Sequence, residues 1–121
     1  MEILAPWFES ANSRLVDELH RELPPGHVLE NVEMSVVARR HDCDDVLYAL
    51  NDGSGRLAVV HLTWKKTRET IPTYPNTRIF QRVELWLVYM RAAHEAIAQD
   101  DLGGQLWLKE QELWNRAQRV E

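Results

Sequence analysis

The stretch LAVVHLTWKK, residues 57–66, places one histidine in an apolar run that ends in a tryptophan and two lysines. An imidazole acts as a general base when a nucleophile or an orienting carboxylate lies within reach, and no local motif supplies either group to His61. Its alternation with Leu57 and Val59 instead predicts that it lies on one face of a β-strand. The sequence therefore favours a surface or half-buried strand histidine over a catalytic one.

The cluster HDCDD, residues 41–45, combines an imidazole, a thiol and three carboxylates and is the most metal-like run in the chain. Zinc sites pair ligands from two separated segments, and a second pair would have to come from scattered histidines such as His20, His27 or His94. The spacing lacks the glycine and the terminal glutamate of a calcium-binding loop. The same composition is typical of a polar turn. We therefore predict no metal ion here and no nucleophilic role for Cys43.

Other catalytic motifs are missing from the sequence. The run HEAIA, residues 94–98, begins like a zinc-protease helix but has alanine where the second histidine belongs. The sequence contains no glycine-rich phosphate loop and no GxSxG elbow. We therefore expect a protein that is not an enzyme and takes no cofactor. The enzyme alternative is a small metal-dependent hydrolase built around His61 and the 41–45 turn.

Size and composition indicate a single globular domain over residues 1–121. With 45% hydrophobic and 27% charged residues, the chain can bury one core and does not have the composition of a disordered protein. No apolar run reaches the roughly 20 residues of a membrane span, and the N-terminus lacks the features of a signal peptide. The single cysteine cannot form an internal disulfide. These features predict a cytoplasmic protein.

Hydrophobic periodicity predicts the element order αβββαα, which belongs to the α+β class. Strands are predicted over residues 32–40, 46–50 and 56–64. The turn signals between them, including the Asp-Gly of NDGSG, indicate a small antiparallel meander of three or four strands. Leu57, Val59 and His61 should share one face of the third strand.

Three helices are predicted to pack together on one face of this sheet. They cover residues 6–23, from Asn76 or Thr77 to about Gln99, and 105–121. The run KKTRETIPTYPN, which precedes the central helix, contains prolines that cannot donate to a sheet and is expected to form a long basic loop. Trp64 and Trp86 are predicted to lie in the core between the sheet and the central helix.

Charge is unevenly distributed along a chain whose formal net charge is −5. Residues 1–34 hold seven acids and two bases, whereas residues 61–82 hold five bases and one acid. Such a dipolar surface suits a protein partner of complementary charge, or it consists of two solvated faces. The basic loop, residues 65–82, offers a nucleic-acid alternative because its cations could contact phosphates. The sequence pI of about 5.5 argues against a dedicated nucleic-acid binder.

The segment LAVVHLTWKK…IPTYPNTRIF resembles a pattern in small uncharacterised bacterial proteins. That pattern has a Val-His-Leu-Thr-Trp strand, a proline-containing loop and a Pro-x-Thr-x-x-Phe start of a helix. The resemblance spans residues 56–80, about a fifth of the chain, and rests on His61, Leu62, Thr63, Trp64, Pro75, Thr77 and Phe80. It implies a bacterial origin and an architectural role for Trp64 and the proline loop, and it implies no activity.

These observations together predict a non-enzymatic protein-binding module, and more specifically an immunity or antitoxin-type inhibitor of a toxic enzyme. An acidic inhibitor is steered rapidly onto a basic active site, especially one that handles nucleic acid. Trp107 and Trp114, two turns apart on the last predicted helix, either pack on their own domain or anchor a partner or a second copy of the chain. The residues expected to bind the partner are Asp17, Glu18, Glu22, Asp42, Asp44, Asp45, Trp107 and Trp114, with Glu30 and Glu33 as further acidic candidates.

Overall fold

In the computed structural model, which describes residues 2–65 and 68–98, the chain forms a five-stranded antiparallel sheet and two helices. The strands lie in the sheet in the order of the chain, so the topology is a simple meander. The elements are β1 Trp7–Glu9, α1 Arg14–Glu22, β2 Met34–Arg40, β3 Asp45–Leu50, β4 Leu57–His61, β5 Thr77–Phe80 and α2 Val83–Ala98. The predicted α+β class and antiparallel meander are confirmed, with five strands rather than three or four.

The first predicted helix is wrong over its N-terminal part. The segment that begins at Trp7 is strand β1, which pairs with the end of β2, and the helix begins at Arg14. Trp7 is buried, and its indole ring meets that of Trp86 edge to face at 5.6 Å between ring centroids. This long-range burial of an aromatic side chain outweighs the helical spacing of the local sequence.

The predicted start of the central helix is also wrong, because Thr77–Phe80 forms the edge strand β5. Its pairing with β4 sets Phe80 opposite Leu57, and the Phe80 ring is fully buried. The helix α2 begins at Val83. The Pro-x-Thr-x-x-Phe pattern therefore leads into a strand in this chain, in keeping with the strand preference of threonine, isoleucine and phenylalanine.

The core lies on both faces of the sheet. Leu57 and Val59 of β4 belong to a buried cluster with residues of α2, whereas Ala58 and Val60 belong to a second cluster with residues of α1. Alternate residues of a strand point to opposite faces, so the two helices cover opposite faces of the sheet. The expectation that the helices share one face is therefore wrong in this detail.

The last predicted helix, residues 105–121 with Trp107 and Trp114, lies outside the described residues. Within the described part of the chain, neither helix is long and apolar enough to cross a membrane.

Candidate functional site

A cleft opens where the loop of residues 62–76 leaves the sheet and returns to it. The two ends of this loop are joined by a hydrogen bond that the His61 N–H donates to the Asn76 carbonyl oxygen at 2.9 Å. The cleft has a volume of about 210 Å³ and is lined by His61, Thr63, Lys65, Glu69, Tyr74 and Asn76. It is the candidate functional site.

The start of the loop is held by Glu22, the last residue of α1, whose side chain is fully buried. Its carboxylate accepts hydrogen bonds from the Thr63 N–H at 2.9 Å, the Thr63 hydroxyl at 3.0 Å and the Trp64 N–H at 3.0 Å. Three donors on one buried carboxylate offset the cost of removing its charge from water. This contact holds the Trp64 backbone at a φ of 55°, a conformation that residues other than glycine seldom adopt.

The end of the loop is held by the buried imidazole of His27. His27 Nδ1 accepts a hydrogen bond from the Leu29 N–H at 3.0 Å, so the proton of the neutral ring lies on Nε2. Nε2 then donates to the Pro75 carbonyl oxygen, also at 3.0 Å. His27 is one of the scattered histidines that a metal site at the 41–45 turn would have needed, and both of its ring nitrogens are engaged in these hydrogen bonds.

The middle of the loop is attached to the same chain segment. The Arg68 guanidinium donates to the Leu23 carbonyl oxygen at 2.8 Å, and the Glu69 N–H donates to the Glu22 carbonyl oxygen at 3.2 Å. Pro72 lies over Gly26, where a Cβ would sit 3.7 Å from the proline ring. The described part of the loop is therefore fixed at its start, middle and end to residues 22–27.

His61 has the orienting carboxylate that the sequence analysis did not find. It pairs in register with Asp45 on the neighbouring strand β3, and its Nδ1 lies 2.7 Å from Asp45 Oδ1. The hydrogen bond to Asp45 raises the pKa of His61; partial burial opposes this rise, and the charges of Asp45, Asp44 and Glu22 add to it. The Asp45 side chain is mostly buried, whereas about half of the His61 side chain is exposed.

Glu69 lies deepest among the charged groups that line the cleft, with 9% of its surface exposed. The Lys65 ammonium lies 3.2 Å from Glu69 Oε1, and the Lys65 side chain extends into solvent. Despite this ion pair, Glu69 Oε1 has no hydrogen-bond donor among the described residues. Glu69 Oε1 thus faces the Lys65 ammonium and accepts no hydrogen bond of good geometry from the described residues.

The acidic residues of α1 differ in their access to solvent. Asp17 is exposed, whereas Glu18 and Glu22 are buried. Glu18 forms an ion pair with Arg21 on the same helix, and Glu22 holds the loop. Their burial contradicts the prediction that these two carboxylates face a partner. Burial was missed because both acids follow the helical stripe of Leu15 and Leu19 closely enough to be covered with it.

The 41–45 turn is organised by internal contacts. The buried Arg40 guanidinium donates to both carboxylate oxygens of Asp42, at 2.8 and 2.7 Å. Burial acts to raise the pKa of Asp42, but the hydrogen bond and charge of Arg40 outweigh it and lower that pKa. Burial raises the pKa of the Cys43 thiol to about 12, and the charge of Asp45 adds to the rise. Asp44 is exposed.

No three histidine, cysteine, aspartate or glutamate side chains come together in a metal-binding arrangement within residues 2–65 and 68–98. Several cations of the basic loop also make internal contacts. Lys65 lies beside Glu69, Arg68 donates to Leu23, and the Arg78 guanidinium donates to the Tyr89 hydroxyl at 2.9 Å. Part of the positive charge that suggested phosphate binding is therefore engaged within the domain.

Three large apolar side chains of the loop are exposed to solvent: Trp64 by 45%, Ile71 by 52% and Tyr74 by 41%. The prediction that Trp64 lies in the core is wrong, because the hydrogen bond from its N–H to Glu22 turns the chain away from the sheet. The matching prediction for Trp86 is confirmed, since its side chain is fully buried. Sequence alone did not indicate that the loop carries an apolar surface.

Fold and site together define a small α+β domain whose antiparallel meander carries an anchored loop and a polar cleft. Compared with protein-family models, curated proteins and solved structures, the chain matches none.

Proposed function

We propose that the protein is a protein-binding module and that the loop of residues 62–76 contacts its partner. One observation carries the proposal: the loop is held by the buried side chains of Glu22 and His27, and it nevertheless presents Trp64, Ile71 and Tyr74 to solvent. A folded domain has no need to fix a loop so firmly in order to expose apolar side chains. A protein interface has that need.

An anchored loop favours binding because its side chains lose less conformational entropy on association than those of a mobile one. Tryptophan and tyrosine are the residues that most often dominate the energy of protein interfaces. A single exposed apolar residue is ordinary on a protein surface. Three on one fixed loop, with Pro72 packed on Gly26 beside them, form a surface suited to a partner.

The finer proposal is an inhibitor of the immunity or antitoxin kind, in the cytoplasm, that covers a basic toxic enzyme. The net charge of −5 supports it, as does the exposure of Asp17, Asp42 and Asp44. A negative inhibitor approaches a positive active site faster than a neutral one does. Trp107 and Trp114 stay candidates for a second apolar contact, toward this partner or toward a second copy of the chain.

Site-specific photo-crosslinking in the native host tests the proposal. A photoreactive phenylalanine derivative replaces Trp64, Ile71 or Tyr74, and in the control it replaces Val88, which is similarly exposed on α2. We expect one protein to be captured from the three loop positions and not from position 88, and we expect it to bind the purified chain. Capture of RNA instead, or equal capture from position 88, contradicts the proposal.

A further inference from the structure

The cleft beside Tyr74 has the features of a site for a positively charged group. Glu69 is nine-tenths buried, lines the cleft and has an oxygen without a hydrogen-bond donor among the described residues. A buried carboxylate in this state is costly unless a donor reaches it. Lys65 neutralises part of the charge from the solvent side, and the exposure of the lysine weakens this ion pair through solvent screening.

Carboxylates lie on the His61 side of the cleft. The hydrogen bond to Asp45 and the charges of Asp44 and Glu22 raise the pKa of His61, because they stabilise the imidazolium. Of the described residues that line the cleft, Glu69 carries a negative charge and Lys65 a positive one. The carboxylates of Glu22, Asp44 and Asp45 add negative charge beside His61, while the Arg68 guanidinium is directed at the Leu23 carbonyl oxygen.

We propose that this cleft receives the guanidinium group of an arginine side chain from the protein partner. The inference rests on the proposed function and names the partner chemistry at the same surface. Glu69 accepts hydrogen bonds from the guanidinium, and the exposed Tyr74 ring and the Asn76 side chain line its other sides. In the free protein Lys65 occupies the mouth of the site as an internal cation, and the arriving arginine displaces it.

Arginine suits the cleft better than lysine does. A guanidinium is planar, is less strongly hydrated than an ammonium and donates two parallel hydrogen bonds to one carboxylate. It also stacks on an aromatic ring, and Tyr74 offers such a ring in the cleft. A volume of about 210 Å³ has room for the guanidinium group and the methylenes next to it.

Titration of the purified protein with N-acetyl-arginine amide, followed by NMR, tests the inference. We expect shifts confined to the amides of residues 61–76, and no shifts with the neutral isostere N-acetyl-citrulline amide at the same concentration. Inorganic phosphate is the opposite probe. If phosphate shifts these amides and the arginine derivative does not, the cleft is an anion site and the inference is wrong.

Two variants should have opposite effects on the affinity measured in the same titration. Glu69→Gln removes the negative charge and should weaken binding of the arginine derivative by about tenfold, in line with the greater strength of hydrogen bonds to a charged acceptor. Lys65→Gln removes the competing internal cation and should tighten binding by about threefold, consistent with an ion pair whose lysine is mostly exposed. Glu84→Gln, at an exposed acid of α2, should change nothing. Tighter binding by Glu69→Gln or weaker binding by Lys65→Gln overturns the inference.

Failure of the inference is distinguishable from failure of the proposed function. If a partner protein crosslinks to the loop but Glu69→Gln binds it as tightly as the unaltered chain does, the arginine site is wrong and the protein-binding function stands. If the arginine derivative binds but no protein crosslinks to positions 64, 71 and 74, the cleft is a cation site and the interface is wrong.

Discussion

Asp45 and His61 lie directly opposite each other on neighbouring strands, with 2.7 Å between Asp45 Oδ1 and His61 Nδ1. The pair joins the 41–45 turn to the end of β4 and holds the imidazole at the edge of the cleft. Because Nδ1 is occupied by the carboxylate, Nε2 is the ring nitrogen that can exchange a proton with a group in the cleft.

Replacing Asp45 by asparagine should lower the pKa of His61, because the hydrogen bond to the Asp45 carboxylate is the largest cause of its rise. Asp44→Asn is the matched control and should lower that pKa by a smaller amount, since Asp44 acts by charge alone. The measurement is the pH dependence of the His61 ring shifts by NMR. Equal pKa values in the unaltered chain and in Asp45→Asn would contradict the assigned cause.

The same pair should make stability depend on pH. The folded-state pKa of His61 lies above the ordinary histidine value of 6.5, so the folded protein binds more protons than the unfolded one in the window above pH 6.5. The stabilisation is complete below pH 6.5 and is lost as pH rises through the folded pKa. Because His61 is half exposed, we expect a loss of less than about 1 kcal/mol. Urea unfolding at several pH values measures it, and Asp45→Asn should reduce it.

Glu22→Gln should destabilise the fold by about 2 kcal/mol, the usual cost of leaving buried donors unsatisfied. Each Glu22 carboxylate oxygen accepts from a backbone N–H, one from Thr63 and one from Trp64. A glutamine has one acceptor oxygen, so its amide would direct N–H groups at one of these donors. Denaturant unfolding measures the loss. Glu33→Gln, at an exposed acid, is the control and should stay within about 0.5 kcal/mol.

Cys43 should react slowly with thiol reagents in the folded protein. Burial raises its pKa to about 12, and the thiolate is the reactive form. At pH 8 we expect modification by an aromatic disulfide reagent to be at least about tenfold slower in the folded chain than in urea, since the unfolded thiol has a pKa of about 8.5. Equal rates in the two states would show that the thiol is not protected.

The central meander was predictable because β2, β3 and β4 carry alternating residues and are joined by turn signals. The Asp45–His61 pair was predictable in principle as well. The β3–β4 register is symmetric about Gly53, in the NDGSG turn, so counting outward from that glycine places these two residues opposite each other. The apolar run from Leu57 to Val60 is compatible with burial on both faces of β4, but we predicted helices on one face only, and the structure places them on both.

The edge strands β1 and β5, and the contacts that hold the loop of residues 62–76, could not be predicted from the sequence. β1 has three residues and β5 has four, too few for a period of two to stand out from a helical spacing. The contacts of Glu22 with Thr63 and Trp64 join positions 41 and 42 residues apart. Local pattern carries no information on such pairs, and the cleft depends on them.

The backbone conformation of Trp64 yields a prediction that separates its local geometry from its side chain. Its φ is 55°, in the left-handed region that costs residues with a Cβ about 1 kcal/mol or more. Trp64→Gly and Trp64→Ala both remove the indole, but glycine relieves the strain and alanine does not. We therefore expect Trp64→Gly to be more stable than Trp64→Ala by about 1 kcal/mol in urea unfolding.

The same pair of substitutions at Ile71, which is outside the positive-φ residues of the described chain, is the matched control. There alanine should be the more stable, because glycine loses more conformational entropy on folding. Both Trp64 variants should lose partner binding to the same extent, since the interface needs the indole and not the turn. Partner binding by Trp64→Gly at the level of the unaltered chain would show that the anchored turn serves the fold alone and that the exposed tryptophan is not part of the interface.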